Sequence, residues 1–576
     1  MLPLVALLAI ALTLGGVVYA RLTKPSPAAR TPAGHPSAAP PKVSPSGAPA
    51  PKRSKRPNVV MVLADDMRTD DLRWMPHVRH LVADRGLEFR NSFSGYPLCA
   101  PARASLLTGQ YAHNNHVFSH VDPYGFAALD DSRSIGTSLN AAGYNTLFLG
   151  KYLNGYGRDD SKVTHEPSFR YVPPGWTDWY GSVDRPADSG YDGGGTYQYY
   201  HVLLNHNGHI DDSHRGRYQT VVEGGIASRL VRRYHRSAKP FFLYFAPIAP
   251  HVGGPRESDD PTGVTWPGTG RKESFKTPAR PERVRGRFDR RIPRASGLPA
   301  NGGPSEADVR DKPRPMDRLP ELDARERAAD LALTRQRAEA LSVLDQQVGR
   351  LVTTLRRTRE LRDTTFVFTS DNGYFLGEHR VRQGKIKPHE PSLRVPFLVC
   401  GPGIPHGVRY DPVTTTDLTA TILDLAGAGP PYPPDGVSVV PSFARDRGWR
   451  RPVLTEGLET SAVFREAERH PAPGFDDPRT TIGIRTLRWK YVRYVDGDGE
   501  LYDLVRDPDE LHSRFGDPSY AAVRRRLQRV WEHRRDCAGA SCRTALPRPM
   551  RADPQQERRV TDAQSRAVQR RYGYRR

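Results

Sequence analysis

The sequence predicts an α/β protein: one large, mostly parallel sheet flanked by helices, with a smaller C-terminal α+β part. Two observations lead there. Near-continuous apolar runs recur at residues 58–64, 146–149, 240–245, 364–369 and 395–399, as expected for strands covered on both faces. Helical stretches lie between them, and alternating β and α units build a parallel sheet. Four of the runs lead into polar residues: Asp65-Asp66, Lys151, His251 and Asp371-Asn372. Ligands of open α/β sheets bind at the carboxyl ends of strands, so these ends are expected to share one rim.

Taken in order, residues 1–23 read as a signal peptide or a membrane anchor. Leu2 to Ala20 is an uncharged run of 19 residues, long enough for one span. Val18-Tyr19-Ala20 suits a cleavage site, although no basic residue precedes the run. Arg21 and Lys24 follow it, which opposes an anchor with an exported body. The expectation is a secreted or extracytoplasmic protein that meets a membrane only through this segment, if it is retained. Residues 24–56, rich in Pro, Ala and Ser, read as an extended linker.

The main domain is expected over residues 57–430. Asp65-Asp66 alone reads either as metal ligands or as a solvated turn. Pro101 and the stretch Ala102 to Leu107 predict a helix with Cys99 near its N-terminus, where backbone N–H groups favour an anion. Arg103 lies one turn along. Residues 252–304 carry many Pro, Gly and Arg residues with little periodicity. They read as a long insertion or mobile loop, its arginines either solvated or facing an anionic glycan. Residues 321–358 predict a helix, with Leu331, Leu341, Val348 and Leu351 among charged residues. A smaller subdomain is expected over 431–545, where Cys537 and Cys542 suit a small disulfide loop. Cys400 reads as a buried thiol, and residues 546–576 as a basic, disordered tail.

Composition excludes several classes. The chain has 576 residues, 37% of them hydrophobic, enough for a sizeable core. A mean hydropathy of −0.63 excludes a polytopic membrane protein. Four cysteines exclude a disulfide scaffold. The net charge of +22 suggests nucleic acid, but the basic residues are mostly Arg scattered along the chain. No zinc-finger or basic-zipper spacing appears, so no nucleic-acid partner is expected. A basic surface still favours polyanionic substrates.

Cys99-x-Pro101-x-Arg103 followed by Thr108-Gly109 resembles the signature of the type I sulfatases. Asp65-Asp66, Gly150-Lys151, Pro250-His251 and Asp371-Asn372-Gly373 occur in that family's order. Lys385 precedes His389-Glu390 and Arg394-Val395-Pro396, as the family's second lysine precedes its Tyr-Glu and Arg-Val-Pro. Residues 500–504 and 507–511 resemble the family's C-terminal hallmark. Lys151 to Tyr156, Val172 to Trp176 and Ser305 to Pro313 look like the N-acetylglucosamine-6-sulfatase and heparan endosulfatase branch. One departure stands out. Where other sulfatases often carry Lys-Trp-His, this chain has Lys151-Tyr152-Leu153, and Asn154 cannot act as a base.

The resemblance implies an alkaline-phosphatase-like fold and hydrolysis of a sulfate ester. A separate formylglycine-generating enzyme would oxidise Cys99 to formylglycine. One divalent cation, Ca²⁺ before Mg²⁺, would sit on Asp65, Asp66, Asp371, Asn372 and the modified Cys99; these oxygen ligands suit a hard ion. Lys151 and Lys385 would grip sulfate oxygens and Arg103 would orient the nucleophile. His251 is the candidate acid for the leaving alcohol, with Lys385 as its rival. The implied substrate is a sulfated small molecule or glycan, glucosamine 6-sulfate-like, with Trp176, Trp179 and Tyr180 either an aromatic surface for it or core. Two other readings are hydrolysis of a phosphomonoester, phosphodiester or phosphonate on the same fold, and a non-catalytic tethered glycan binder.

Overall fold

The computed structural model describes residues 56–573, apart from 262, 266–271, 274 and 460–470. The expected signal or anchor, and all of the linker but its last residue, lie outside the described residues.

The large sheet has ten strands: β1 (Asn58–Ala64), β2 (Leu87–Phe89), β3 (Asn145–Lys151), β4 (Asp178–Ser182), β5 (Leu204–His206), β6 (His209–Asp211), β7 (Phe241–Ala246), β8 (Thr364–Ser370), β9 (Phe397–Cys400) and β10 (Gly407–Arg409). Their spatial order is β10-β2-β9-β8-β1-β7-β3-β4-β5-β6. The five in the middle, β8-β1-β7-β3-β4, run parallel, and β9, β5 and β6 pair antiparallel towards the edges. The sheet is therefore mixed and mostly parallel at its centre.

β1 shows why such runs are apolar throughout. Val59, Met61 and Leu63 face one side, and Val60, Val62 and Ala64 face the other. Side chains alternate along a strand, so a strand covered on both faces needs apolar residues at every position. On the first side pack α1 (Cys99–Thr108), through Ala100, Ala104 and Leu107, and a later helix carrying Leu418 and Ile422. On the second pack α2 (Gln219–Tyr234) and α3 (Ala324–Arg357). Asp323 caps α3 through a reciprocal box with Glu326. Its 34 residues fill the helix expected over 321–358.

A four-stranded antiparallel sheet follows: β11 (Val453–Gly457), β12 (Thr481–Arg485), β13 (Trp489–Tyr494) and β14 (Gly499–Asp503). Residues Ile482, Ile484, Tyr491 and Trp531 share its core. Cys537 and Cys542 are disulfide-bonded. Cys400 is only half-buried.

Two expectations are corrected. The stretch expected as a disordered tail instead carries α4 (Pro554–Tyr572), capped by the Asp553 side chain and closed by Gly573. Thr561 accepts from Asn91, Gln564 donates to Leu487 O, and Arg571 donates to Ser305 O. These buried polar contacts leave no apolar stripe in the sequence. The described part of the 252–304 insertion is tied down: buried Arg280 pairs with Glu257, Asp259 and Glu339 at 2.6, 2.5 and 2.9 Å. That guanidinium is committed to carboxylates and does not face a glycan.

Candidate active site

Parallel neighbours present their carboxyl ends on one side. β8, β1, β7 and β3 are adjacent, so Asp371-Asn372, Asp65-Asp66, His251 and Lys151 reach the same rim. Gly150, at φ +102°, lets β3 end against β7: a Cβ there would lie 2.3 Å from Ala246 O. α1 aims Cys99 at this rim from its first turn, and Gly109, at φ +76°, closes the helix.

The expected residues come together. Cys99 Sγ lies 3.1 Å from Asp65 Oδ1 and 3.7 Å from Asp66 Oδ1. Lys151 Nζ donates to Asp65 Oδ2 at 2.7 Å. Lys385 Nζ donates to Asp66 Oδ1 and lies 2.7 Å from Cys99 Sγ. Arg103 donates through Nε to Asp371 Oδ2 at 2.8 Å and through a terminal nitrogen to Lys151 O at 2.7 Å. Asp371 Oδ1 accepts the backbone N–H groups of Asp66 and Asn372. Asn372 Nδ2 donates to Asp66 Oδ1 at 2.7 Å.

Backbone strain holds two of these groups. Asp66 sits at φ +68°, which turns its carboxylate beside that of Asp65. Ile386 sits at φ +83°, rare for a β-branched residue, immediately after Lys385. Its N–H donates to Pro97 O at 3.0 Å and its side chain packs near Leu98. Lys385 is thereby tied to the segment that carries Cys99.

Electrostatics follow from burial. Burial opposes ionising Asp65, but Lys151, His251 and Arg103 hold its carboxyl well below the usual range. Asp371, buried beside Asp65, is pushed up to about 6. Burial and Asp65 push the Cys99 thiol well up, so an unmodified Cys99 is no ready thiolate. Burial opposes the charge on Lys385, but Asp66 and Cys99 keep it protonated. His251 gives Nδ1–H to Val252 O at 2.6 Å and sets Nε2 3.7 Å from Asp66 Oδ2. Burial draws it down to about 4 against the pull of Asp65 and Asp66. Its resting imidazole is neutral, whereas its rival Lys385 carries a proton.

The donor set suits a hard divalent cation. Asp65, Asp66, Cys99 and His251 offer ligand atoms within 4.8 Å of one another. Asp371 stands one hydrogen bond away, and Asn372 Oδ1 is buried with no partner. An orphaned buried acceptor beside acidic oxygens is what a cation satisfies.

The departure at Leu153 also has a structural account. Leu153 is buried in the core, and Tyr152 donates to Asp131 at 3.0 Å. Asn154 reaches the site indirectly, donating to the Tyr197 hydroxyl at 2.5 Å. The Tyr197 ring lies 4.8 Å from that of His251, and Lys151 Nζ lies 5.1 Å from its centre. Trp179 is fully buried and stacks on Phe148 at 4.3 Å, and Trp176 packs in the same core. Those two are core, while Tyr180 is half-buried and stacks on His206. Tyr197, His120 and Arg337, which donates to Asp66 O at 2.5 Å, are additions that sequence reasoning missed. They sit on a loop, a turn and a helix interior without any shared spacing. Only the departure at Leu153 hinted that another polar group stands nearby.

Comparison with known proteins matches this geometry. The family model described as Sulfatase matches residues 57–428, and that described as N-sulphoglucosamine sulphohydrolase, C-terminal, matches residues 377–536. The chain is 28% identical over 527 residues to the human N-acetylglucosamine-6-sulfatase, covering 85% of this chain and 86% of that protein. It is 31% identical over 466 residues to the extracellular sulfatase SULF-1 homolog of Drosophila melanogaster, covering 78% of this chain and 37% of that longer protein. A solved structure in complex with its substrate D-glucosamine-2-N,6-O-disulfate shares the fold. Its TM-score is 0.60 at 20% identity, covering 83% of this chain and 97% of that one. The family match takes in the whole strand-end rim and the helix that presents Cys99: the chain belongs to the sulfatase family and is a sulfuric ester hydrolase.

Proposed function

We propose that this enzyme removes sulfate from a sulfated sugar of the glucosamine 6-sulfate type, using formylglycine made from Cys99 and one divalent cation, Ca²⁺ before Mg²⁺. One observation carries the chemistry: Cys99, at the first turn of a buried helix, is surrounded by Asp65, Asp66, Asp371, Lys151, Lys385 and Arg103. A sulfate monoester is an anion that repels nucleophiles, so its charge must be neutralised where it reacts. A bound cation supplies part of that charge and polarises a sulfate oxygen. With Asp65, Asp66, Asp371 and Asn372 holding the cation, Lys151 and Lys385 turn from carboxylates to sulfate oxygens. Arg103, locked between Asp371 and Lys151 O, fixes the orientation of the group at position 99. Lys385 or His251 gives the proton to the leaving oxygen. Lys385 already carries one, whereas His251 gains one only as the substrate anion arrives.

The sugar assignment draws on the printed names of the human relative and of the structural neighbour's substrate, together with Lys151 to Tyr156 and Val172 to Trp176. An extracytoplasmic location agrees with the Cys537–Cys542 disulfide and with the extracellular Drosophila relative. In this reading residues 1–23 are the export signal or anchor, 24–56 a tether, 57–430 the catalytic domain and 431–545 its smaller companion.

Two measurements test the proposal. Mass spectrometry of the peptide spanning Cys99 is expected to show formylglycine; an unmodified cysteine in active enzyme would sink that step. Turnover of matched 2-O-, 3-O-, 4-O- and 6-O-sulfated glucosamines is expected to favour the 6-O-ester. A better kcat/KM at another position would overturn the sugar assignment. Faster turnover of aryl phosphate than of aryl sulfate would favour the phosphorus reading.

A further inference from the structure

The segment following α1 is unassigned by anything above, yet it leans on the site. Phe118 shares one apolar cluster with Leu98, beside Cys99, and Ile386, beside Lys385, packs against that cluster. The turn after it is firmly built. Phe118 N–H and Ser119 N–H both donate to Tyr124 O, at 2.9 and 3.0 Å, and Tyr124 N–H donates to Val121 O at 3.0 Å. The Tyr96 hydroxyl donates to Phe118 O at 2.5 Å.

This turn carries two unexplained features. His120 Nε2 is withdrawn from solvent and has no hydrogen-bond partner. His120 follows Phe118 by two residues, on the hydrogen-bonded turn whose Phe118 shares an apolar cluster with the neighbours of Cys99 and Lys385. Burial, Lys385 and Lys151 keep its ring neutral. The second feature lies on the outside. Among the described residues only three large apolar side chains are exposed, and two are here: Val121 at 57% and Tyr124 at 38%. A buried orphan nitrogen costs about 1–3 kcal/mol unless a ligand satisfies it, and exposed aromatic surface is likewise unfavourable without a partner.

We infer that the turn of residues 118–124 is the sugar-binding lip of this site: His120 hydrogen-bonds the sulfated sugar unit, while Val121 and Tyr124 carry the apolar face of the next ring. A sugar offers both surfaces, hydroxyl groups that need polar partners and a C–H face that packs on an aromatic ring. The inference rests on the sulfated-sugar reading above and adds the residues that recognise the sugar. His120 acts here as a substrate-contacting group.

The test compares His120→Ala, His120→Gln and Tyr124→Ala on three substrates. These are glucosamine 6-sulfate, a disaccharide ending in that unit, and 4-nitrophenyl sulfate, which has no sugar. His120→Ala is expected to lower the ratio of sugar to aryl kcat/KM about tenfold, mainly through KM, the effect of one lost hydrogen bond. His120→Gln, which keeps a donor and an acceptor, is expected to recover part of it. Tyr124→Ala is expected to penalise the disaccharide more than the monosaccharide. Calorimetric titration of glucosamine 6-sulfate into the Cys99→Ala protein gives a readout free of turnover, and adding His120→Ala is expected to weaken Kd about tenfold. Parallel losses on sugar and aryl sulfates, or an unchanged Kd, would overturn the lip. Wild-type preference for another sulfated sugar would overturn the 6-sulfate assignment instead, and the same ratios measured on that sugar would then decide the lip.

Discussion

Cys99 and Glu223 show how burial sets chemistry one residue at a time. The Cys99 thiol is held neutral by burial and Asp65, so the unmodified side chain is a poor nucleophile. Cys99→Ala is expected to cut sulfate ester turnover at least about a thousandfold while the thermal midpoint stays within a few degrees, because a methyl group fits the same buried helix turn. Turnover near wild type would sink the nucleophile assignment. Glu223, on α2, is fully buried, accepts from Gln219 at 2.9 Å and has its other oxygen unpartnered. Burial raises its carboxyl to about 8. The folded state therefore binds one more proton than the unfolded chain between its ordinary value of 4.5 and about 8, so stability falls as pH rises through that window. Glu223→Gln is expected to remove about 2–4 kcal/mol of that fall. Melting curves at pH 5 and pH 9 would check it, and an equal fall in both proteins would refute it.

Among the elements, α1 and α4 act in opposite ways. α1 is short and buried along its whole length, so it delivers Cys99 and Arg103 to the rim at fixed positions. α4 is polar along most of its length and works as a strap. It reaches Asn91 beside the large sheet, Leu487 in the small one and Ser305 on the connecting segment. Deleting residues 554–576 is expected to cost about 2–4 kcal/mol, at roughly 1 kcal/mol for each buried hydrogen bond lost. Urea unfolding of the truncated protein would measure this, and an unchanged midpoint would mean that the helix is not a strap.

The whole molecule assembles acidic groups that resist being together. Asp65, Asp66 and Asp371 converge from two neighbouring strands, and Lys151, Lys385 and Arg103 offset them. A divalent cation bound there stabilises the folded state by about 3 kcal/mol at a hundredfold excess over its Kd. Chelation is therefore expected to lower the melting temperature and added Ca²⁺ or Mg²⁺ to restore it, with Asp65→Asn losing the response. A melting temperature indifferent to chelator and metal would count against the cation.

The sequence by itself determined five strands of the large sheet, β1, β3, β7, β8 and β9, the polar residues that end or follow four of them and the Cys99 helix. These signals are local: apolar runs covered on both faces and a proline at a helix start. The order β8-β1-β7-β3 was not legible, since strands far apart in sequence become neighbours only by packing, yet that order is what gathers Asp371, Asp65, His251 and Lys151. Tertiary structure also decided matters that the sequence left open or, at the C-terminus, misread. Trp176 and Trp179 went to the core because Phe148 offers them aromatic neighbours there. Arg280 went to buried carboxylates, and the basic C-terminal stretch folded on polar partners that no periodicity announces. The turn that carries His120 is joined to the site's neighbourhood through an apolar cluster of Phe118 and Leu98 against which Ile386 packs, and Phe118 and Ile386 lie more than 260 residues apart along the chain. Local pattern determines which elements form; only the burial that joins distant segments determines which side chains meet.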